Sequence, residues 1–312
     1  MKQWLGYVDK YSPEGLLTPW PETDYRAWYL GDWASPDGID DKQEESINLI
    51  ANSYIVVRLG ALEKIAAVLG EQADAAEFKA RKEKLTELVH RTFYKQDAAI
   101  YADGDQTDLA FPLIAGIVPE GLRNRVTESL RSNITESHKG HLATGLVGVP
   151  VMTEWATTSR SVDLMYSMLK AKGYPGYLHM IANGATTTWE HWNGERSRIH
   201  NCFNGIGSWF YQALAGLRPI EGFPAYRRFR IDPQVPVGLA WVKAGKDTPY
   251  GKIQVNWGKA GGRMNINATV PVGTKAEVVV PEGATAAMIN GEPARSGLLL
   301  LESGNHRIEW TF

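Results

Sequence analysis

The spacing of apolar residues changes near residue 218, and this change limits the folds open to the chain. Before it, apolar residues recur every three to four positions, the spacing of one helix face, in segments around 47–69, 78–93, 107–117, 120–132, 160–172 and 203–217. After it, apolar and polar residues alternate in KIQVNW, RMNINATV and RIEWTF, which predicts half-buried strands. We therefore predict a helical domain over residues 1–217 and a β domain over residues 218–312.

The connections between these elements indicate how each domain is built. The strands are short and separated by Gly, Pro and Asn turns with no helical pattern between them, which favours a small antiparallel β-sandwich. The helical segments follow one another through aromatic, glycine-containing loops, as in a toroid of paired helices. The predicted fold class is a multidomain chain, α then β.

Composition excludes several classes of function. The 33 Lys and Arg residues nearly balance the 35 Asp and Glu residues, so no basic field predicts a nucleic-acid partner. No apolar run is long enough to span a membrane, and no export signal is visible at the N-terminus. The single cysteine, Cys202, forms no internal disulfide, which fits a cytoplasmic or a periplasmic protein, so the compartment stays open.

Motifs for metal, phosphate and nucleophilic chemistry are missing from the sequence. The seven histidines show no metal-binding helical spacing, and DGDQTD departs from the calcium-loop pattern at Thr107 and Asp108. No nucleophile elbow or glycine-rich phosphate loop occurs, and Cys202 lies in an apolar run as a core thiol. We therefore predict neither a metal nor a cofactor.

Carboxylates beside tryptophans are the chemical signal that remains. Tryptophan faces cover the C–H faces of a sugar while carboxylates, amides and histidines bind its hydroxyls, so this mixture predicts a carbohydrate site. Two loops contain it, YLGDWASPDGIDD and NGATTTWEHWNG. The candidate residues are Asp32, Trp33, Asp37, Asp40, Asp41, Trp189, Glu190, Trp192 and the more distant His200.

Each candidate also has a purely structural interpretation. Asp32 suits a helix N-cap or a turn, Trp33 and Trp192 suit the core, and Glu190 suits a solvated loop. His200 precedes a helical segment and suits a cap or a packed residue. At this point both interpretations stay open.

The order of motifs resembles the bacterial α-L-rhamnosidases, a family of inverting glycoside hydrolases. The motifs are GDW, DQT, GHLATGLVG, GATTTWEHWNG and RIHNCFNGIGSWFYQALAGL, followed by FRIDPQVP, TPYGKIQVNW and ATVPVGTKAEVVVP. They extend over nearly the whole chain. The resemblance implies part of an (α/α)₆ six-hairpin toroid that holds the active site, then a small β-sandwich. It also implies a rhamnose-containing oligosaccharide or glycoside as substrate.

The same resemblance assigns roles to the candidate residues. Glu190 corresponds to the family's general base, which removes a proton from the attacking water. Asp32, Trp33 and His200 correspond to residues that line the rhamnose subsite, and we include the neighbouring Trp189 and Trp192 among the substrate-binding candidates. No cofactor is implied.

One departure from the family pattern concerns the general acid. In the family it lies on earlier helices, upstream of GDW, and this chain begins thirty residues before GDW with helical segments for about four hairpins. We therefore expect this chain to be the C-terminal portion of a rhamnosidase and to be inactive on its own. We also expect its open helical side to self-associate or to bind a missing N-terminal portion. Asp37, Asp40 and Asp41 are candidates to replace the acid.

Two alternatives belong to other classes. A non-catalytic carbohydrate-binding remnant would keep the aromatic pocket and bind sugar without hydrolysis. Another toroid enzyme, a polysaccharide lyase or a glucosidase, would differ in its products, because a lyase leaves an unsaturated sugar.

Overall fold

The computed structural model describes residues 1–20, 29–36 and 44–312. By their internal contacts these residues form two compact units. The first is Met1–Ala156 with Ser167–Gly205, and the second is Thr157–Tyr166 with Ile206–Phe312. Apart from a short strand pair within residues 94–101, the helices come first and the strands afterwards, as predicted. The boundary proposed between residues 217 and 218 stays a prediction.

Most helices lie where the apolar spacing predicts them. In the part that the structure describes they are α1 (Lys2–Lys10), α2 (Glu44–Leu69), α3 (Gln72–Phe93), α4 (Gln106–Ala115), α5 (Arg123–Ser132), α6 (Gly148–Thr158), α7 (Val162–Lys170), α8 (Tyr177–Ala182) and α9 (Ile206–Trp209). The sequence pattern does not predict α1, α6 or α8. Helix α6 is buried except for a narrow stripe of Pro150, Glu154 and Thr158, of which only Glu154 is charged. In place of one helix over 203–217, α9 continues into a π-helical turn at Phe210–Leu214.

Helices α2 and α3 form a hairpin. Gly70 has a φ of +79°, which ends α2 in a left-handed conformation, and α3 begins two residues later. The buried face of α2 includes Leu49, Val56 and Leu59, and Lys82 of α3 donates to Glu63 of α2 at 3.1 Å. Helix α4 packs against α2 and α5, so consecutive helices are neighbours in space.

The second unit contains a β-sandwich. Its strands are β3 (Leu217–Pro219), β4 (Arg228–Ile231), β5 (Trp241–Thr248), β6 (Gly251–Ala260), β7 (Arg263–Val270), β8 (Lys275–Val280), β9 (Thr285–Ile289), β10 (Glu292–Pro293), β11 (Gly297–Leu301) and β12 (Gly304–Thr311), while β1 (Tyr94–Lys95) and β2 (Ile100–Tyr101) form a separate hairpin. One sheet has the order β10-β9-β12-β7-β6-β5 and the other β11-β8-β4-β3.

Alternating residues of both sheets share one core. Phe229 and Val278 contribute from the smaller sheet, and Val255 and Ile266 from the larger one. The pairs are antiparallel except β4 with β8, which run parallel. This pair departs from the purely antiparallel prediction because β5, β6 and β7 lie between β4 and β8 in sequence and belong to the other sheet.

Two further expectations concern surfaces. None of the described helices is long and apolar enough to cross a membrane. Trp4 and Tyr7 of α1 and Val68 and Leu69 of α2 are exposed apolar side chains. That the open side of the helical domain self-associates or binds a missing portion stays a prediction, which light scattering of the purified chain tests.

Candidate active site

Three loops of the first unit surround a cavity of about 650 Å³. They come from residues 30–36, 142–148 and 184–204. The residues that line the cavity are Leu30, Gly31, Trp33, Leu146, Glu190, Arg196 and His200. Carboxylate, guanidinium, imidazole and indole groups thus meet around a space large enough for a sugar.

Asp32 joins the first two loops. Its carboxylate accepts hydrogen bonds from the Thr107 hydroxyl at 2.6 Å and from the backbone N–H groups of Gly145 at 2.8 Å, Val147 at 2.9 Å and Gly148 at 2.8 Å. Only 3% of the residue is exposed. A buried carboxylate is stable with this many donors. Asp32 therefore holds the loops together from behind the cavity.

The neighbouring backbone requires glycine. A Cβ atom added to Gly145 would collide with the carbonyl oxygens of Asp32 and Trp33, and one added to Gly148 would collide with the Thr107 hydroxyl. The N–H of Leu146 donates to the Trp33 carbonyl at 2.7 Å. These close contacts fix the backbone of Trp33, whose indole lines the cavity.

Glu190 lies in a loop without helix or strand, and backbone hydrogen bonds hold it in place. Its N–H donates to the Ser197 carbonyl at 2.8 Å, and the Ser197 N–H donates to Glu190 Oε2 at 3.2 Å. Desolvation raises the pKa of Glu190, but the Ser197 backbone hydrogen bond, the neighbouring His200 and a hydrogen bond from Trp33 together lower that pKa below its ordinary value. Glu190 is therefore ionised at neutral pH and able to accept a proton.

His200 is fixed by its backbone and by one ring nitrogen. Its N–H donates to the Thr188 carbonyl at 3.0 Å, and the Thr188 hydroxyl donates to the His200 carbonyl at 2.6 Å. Nδ1 accepts from the Cys202 N–H at 3.1 Å, so the ring N–H lies on Nε2. The imidazole thus retains an N–H donor for a ligand.

Trp189 and Trp192 lie behind the cavity. Trp192 is 1% exposed, stacks on Phe203 with ring centroids 3.8 Å apart, and donates from Nε1 to the Thr144 carbonyl at 2.7 Å. Trp189 is 3% exposed, with the Arg198 guanidinium 5.2 Å from its ring centroid. Both anchor the loop that presents Glu190, and neither lines the cavity.

The structure thus brings together Trp33, Glu190 and His200 and places Asp32, Trp189 and Trp192 behind them. Direct contact of the latter three with substrate stays a prediction. Asp37, Asp40 and Asp41 lie outside the described residues.

Four residues that line the cavity were not among the candidates: Leu30, Gly31, Leu146 and Arg196. Leu146 is part of the GHLATGLVG motif, which contains neither a carboxylate nor a tryptophan. Arg196 lies in the charged run ERSR, which has the composition of a solvated loop.

Two other kinds of chemistry lack support. Among the described residues, no group of three His, Cys, Asp or Glu side chains is placed to hold a metal ion. Burial raises the pKa of the Cys202 thiol to about 12, so it is not a thiolate nucleophile at neutral pH.

A first prediction concerns the ionisation of Glu190. We expect Trp33→Phe to raise the pKa of Glu190, because phenylalanine keeps an aromatic ring and loses the N–H that stabilises the carboxylate. NMR titration of the Glu190 side-chain carboxyl carbon measures it. Trp4→Phe, on exposed α1, is the control and should leave the titration unchanged. An unshifted titration in Trp33→Phe would contradict the hydrogen bond.

Comparison with known proteins places this chain in a family. The chain matches the family models for the bacterial alpha-L-rhamnosidase 6 hairpin glycosidase domain over residues 1–214 and the bacterial alpha-L-rhamnosidase C-terminal domain over residues 216–294. An alpha-L-rhamnosidase of Alteromonas sp. (strain LOR) is 26% identical over 303 residues, which cover 90% of this chain and 31% of that protein. An alpha-L-rhamnosidase of Formosa agariphila is 26% identical over 300 residues, which cover 90% of this chain and 32% of that protein.

Solved structures of two alpha-L-rhamnosidases are also similar to this chain. That of alpha-L-rhamnosidase from Dictyoglumus thermophilum is 25% identical, with a TM-score of 0.87, and covers 100% of this chain and 36% of its own. The structure of the Streptomyces avermitilis alpha-L-rhamnosidase complexed with L-rhamnose is 24% identical to this chain, with a TM-score of 0.84. The match covers 98% of this chain and 30% of the Streptomyces chain. The chain spans about a third of the length of these relatives. The resemblance seen in the motifs and the predicted fold class are confirmed.

Proposed function

Because the chain belongs to the bacterial α-L-rhamnosidase family of six-hairpin glycosidases, we propose that it hydrolyses terminal α-L-rhamnosides with inversion and that Glu190 is the general base. The observation that carries this proposal is an ionised Glu190 in a cavity shared with the indole of Trp33 and the imidazole of His200. The rhamnose complex of the Streptomyces relative fits the proposed substrate.

The proposed reaction uses these groups in separate ways. Glu190 removes a proton from water as the water oxygen bonds to the anomeric carbon, and the bond from that carbon to the leaving oxygen breaks on the opposite side. The indole of Trp33 packs against the apolar surface of the sugar and orients Glu190 through its N–H. The Nε2–H of His200 donates to a sugar hydroxyl.

An inverting enzyme also needs a carboxylic acid roughly 6.5–9.5 Å from the base, which protonates the leaving oxygen. Among the described residues that line the cavity, Glu190 is the one carboxylate. This favours a second candidate function, carbohydrate binding without catalysis. The family match gives no support to the lyase or glucosidase alternative.

A substrate that needs no acid separates the two candidates. Dinitrophenolate leaves without protonation, so hydrolysis of 2,4-dinitrophenyl α-L-rhamnoside requires the base alone. We expect the 312-residue chain to hydrolyse it, with β-L-rhamnose as the first product by NMR. Release of α-L-rhamnose first would contradict inversion. Binding of L-rhamnose in calorimetry with no hydrolysis of this substrate would identify the non-catalytic binder.

A further inference from the structure

Arg196 is a cation in the cavity that has no anionic partner among the residues described. It is one of the lining residues, and no ion pair or hydrogen bond joins its guanidinium to any carboxylate in the part of the chain that the structure describes. Glu190, the carboxylate of the same cavity, accepts from the Ser197 N–H and from Trp33 instead. No carboxylate of the described residues therefore competes for this guanidinium with an anion that enters from outside.

The position of Arg196 is fixed from two sides. Its guanidinium carbon lies 5.1 Å from the centroid of the Trp33 ring, a cation–π contact with the residue that orients the base. Its backbone has a φ of +58°, a left-handed conformation that is unfavourable for an arginine. Such strain is common at sites where a side chain must be aimed. The loop thus places Arg196 at the cavity in spite of an unfavourable backbone conformation.

The charge of Arg196 has no counterpart in rhamnose itself. L-Rhamnose is a neutral 6-deoxy sugar, so a guanidinium beside it gains no ionic contact from the sugar that is cleaved. Arg196 is also exposed, which puts it at the solvent side of the cavity, where the rest of a substrate must extend. An anion that reaches it belongs to the group to which rhamnose is attached.

We propose that Arg196 binds the carboxylate of a uronic acid linked to the terminal rhamnose, so that the preferred substrates are rhamnosyl uronates. This inference rests on the proposed function, since it assumes that rhamnose occupies the cavity beside Glu190. The planar guanidinium matches a carboxylate with two parallel hydrogen bonds, which a neutral hexose does not provide. Arg196 is thus a specificity-determining residue for the second sugar.

The neighbouring Arg198 supplies a matched control. It lies on the same loop, is also exposed, and stacks over Trp189 at 5.2 Å, but it does not line the cavity. Replacement of Arg198 removes the same charge two residues away without removing the cavity cation.

The experiment compares two disaccharides, α-L-rhamnosyl-(1→4)-D-glucuronic acid and α-L-rhamnosyl-(1→4)-D-glucose. Their affinities for the 312-residue chain are measured by calorimetry in a Glu190→Gln background, which prevents hydrolysis during the titration. We expect the uronate to bind about tenfold more tightly, because charge-assisted hydrogen bonds are stronger than neutral ones. Arg196→Gln should bring the ratio of affinities close to one, whereas Arg198→Gln should keep it. Circular dichroism checks that each variant folds.

The outcomes separate the two proposals. Equal affinity for both disaccharides, or a uronate preference that survives Arg196→Gln, overturns the role of Arg196 and leaves the rhamnosidase proposal in place. If neither disaccharide nor L-rhamnose binds, both proposals fall. A preference that disappears in Arg196→Gln and is reduced in Arg196→Lys supports recognition by the guanidinium rather than by charge alone.

Discussion

Glu190→Gln is expected to lower the turnover of 2,4-dinitrophenyl α-L-rhamnoside by about 10²–10⁴-fold while the chain stays folded. Glutamine has nearly the same shape and keeps an oxygen that can accept from the Ser197 N–H. It cannot take a proton from the attacking water, because an amide is not a base at neutral pH. Turnover follows the release of dinitrophenolate, and circular dichroism monitors the fold.

A second carboxylate of the same loop provides the control. Glu195 is exposed and does not line the cavity, so Glu195→Gln removes the same charge from the loop and should leave turnover within about twofold of the parent. Equal losses in the two variants would show that loop charge, and not a base at residue 190, supports the reaction. Unchanged turnover in Glu190→Gln would remove the assignment.

Azide distinguishes a missing base from a disturbed site. Glu190→Ala leaves space for a small anion where the water is activated, and azide attacks without loss of a proton. We expect azide to restore release of dinitrophenolate and to form β-L-rhamnosyl azide, the inverted product. A structural role of Glu190 would not give this rescue, because azide does not rebuild a distorted loop.

Much of the fold is predictable from local patterns in the sequence. Helix α3 shows one apolar face, and β6, β7 and β12 alternate in burial, so the period of their apolar residues identifies them. Helix α2 is identified by its length and apolar content, although Val57 and Ile65 are exposed. Helix α6 is not predictable in this way, because all of it except a narrow stripe is buried. The parallel pairing of β4 with β8 is not predictable from local patterns, because it depends on which sheet the intervening strands join.

The candidate site is predictable in type and only partly in detail. Glu190, Trp33 and His200 do meet in one cavity, as residues with the chemistry of a sugar site. Asp32 and Trp192 have the same chemistry but are buried. Their hydrogen-bond partners Gly145 and Thr144 lie 113 and 48 residues away in sequence. Side-chain burial of this kind depends on tertiary contacts, which residue type does not reveal.

The burial of Asp32 leads to a second large expected effect. Oδ2 accepts from Thr107 and Gly145, and Oδ1 accepts from Val147 and Gly148. In Asp32→Asn one of these oxygens becomes an NH₂ group, so at least one backbone N–H faces another donor whichever way the amide turns. We expect a loss of about 2–5 kcal/mol in the free energy of unfolding, the cost of leaving buried donors unsatisfied and removing charge-assisted hydrogen bonds.

Chemical denaturation followed by far-ultraviolet circular dichroism measures this loss as a lower transition midpoint for the helical signal. Asp9→Asn is the control, because Asp9 forms an exposed ion pair with Arg81 at 2.7 Å and such pairs contribute little. Asp32→Asn should also weaken L-rhamnose binding, since the backbone of Trp33 follows directly and depends on the same loop contacts. A variant with an unchanged midpoint and reduced sugar affinity would instead identify Asp32 as a substrate ligand, as the family resemblance implies.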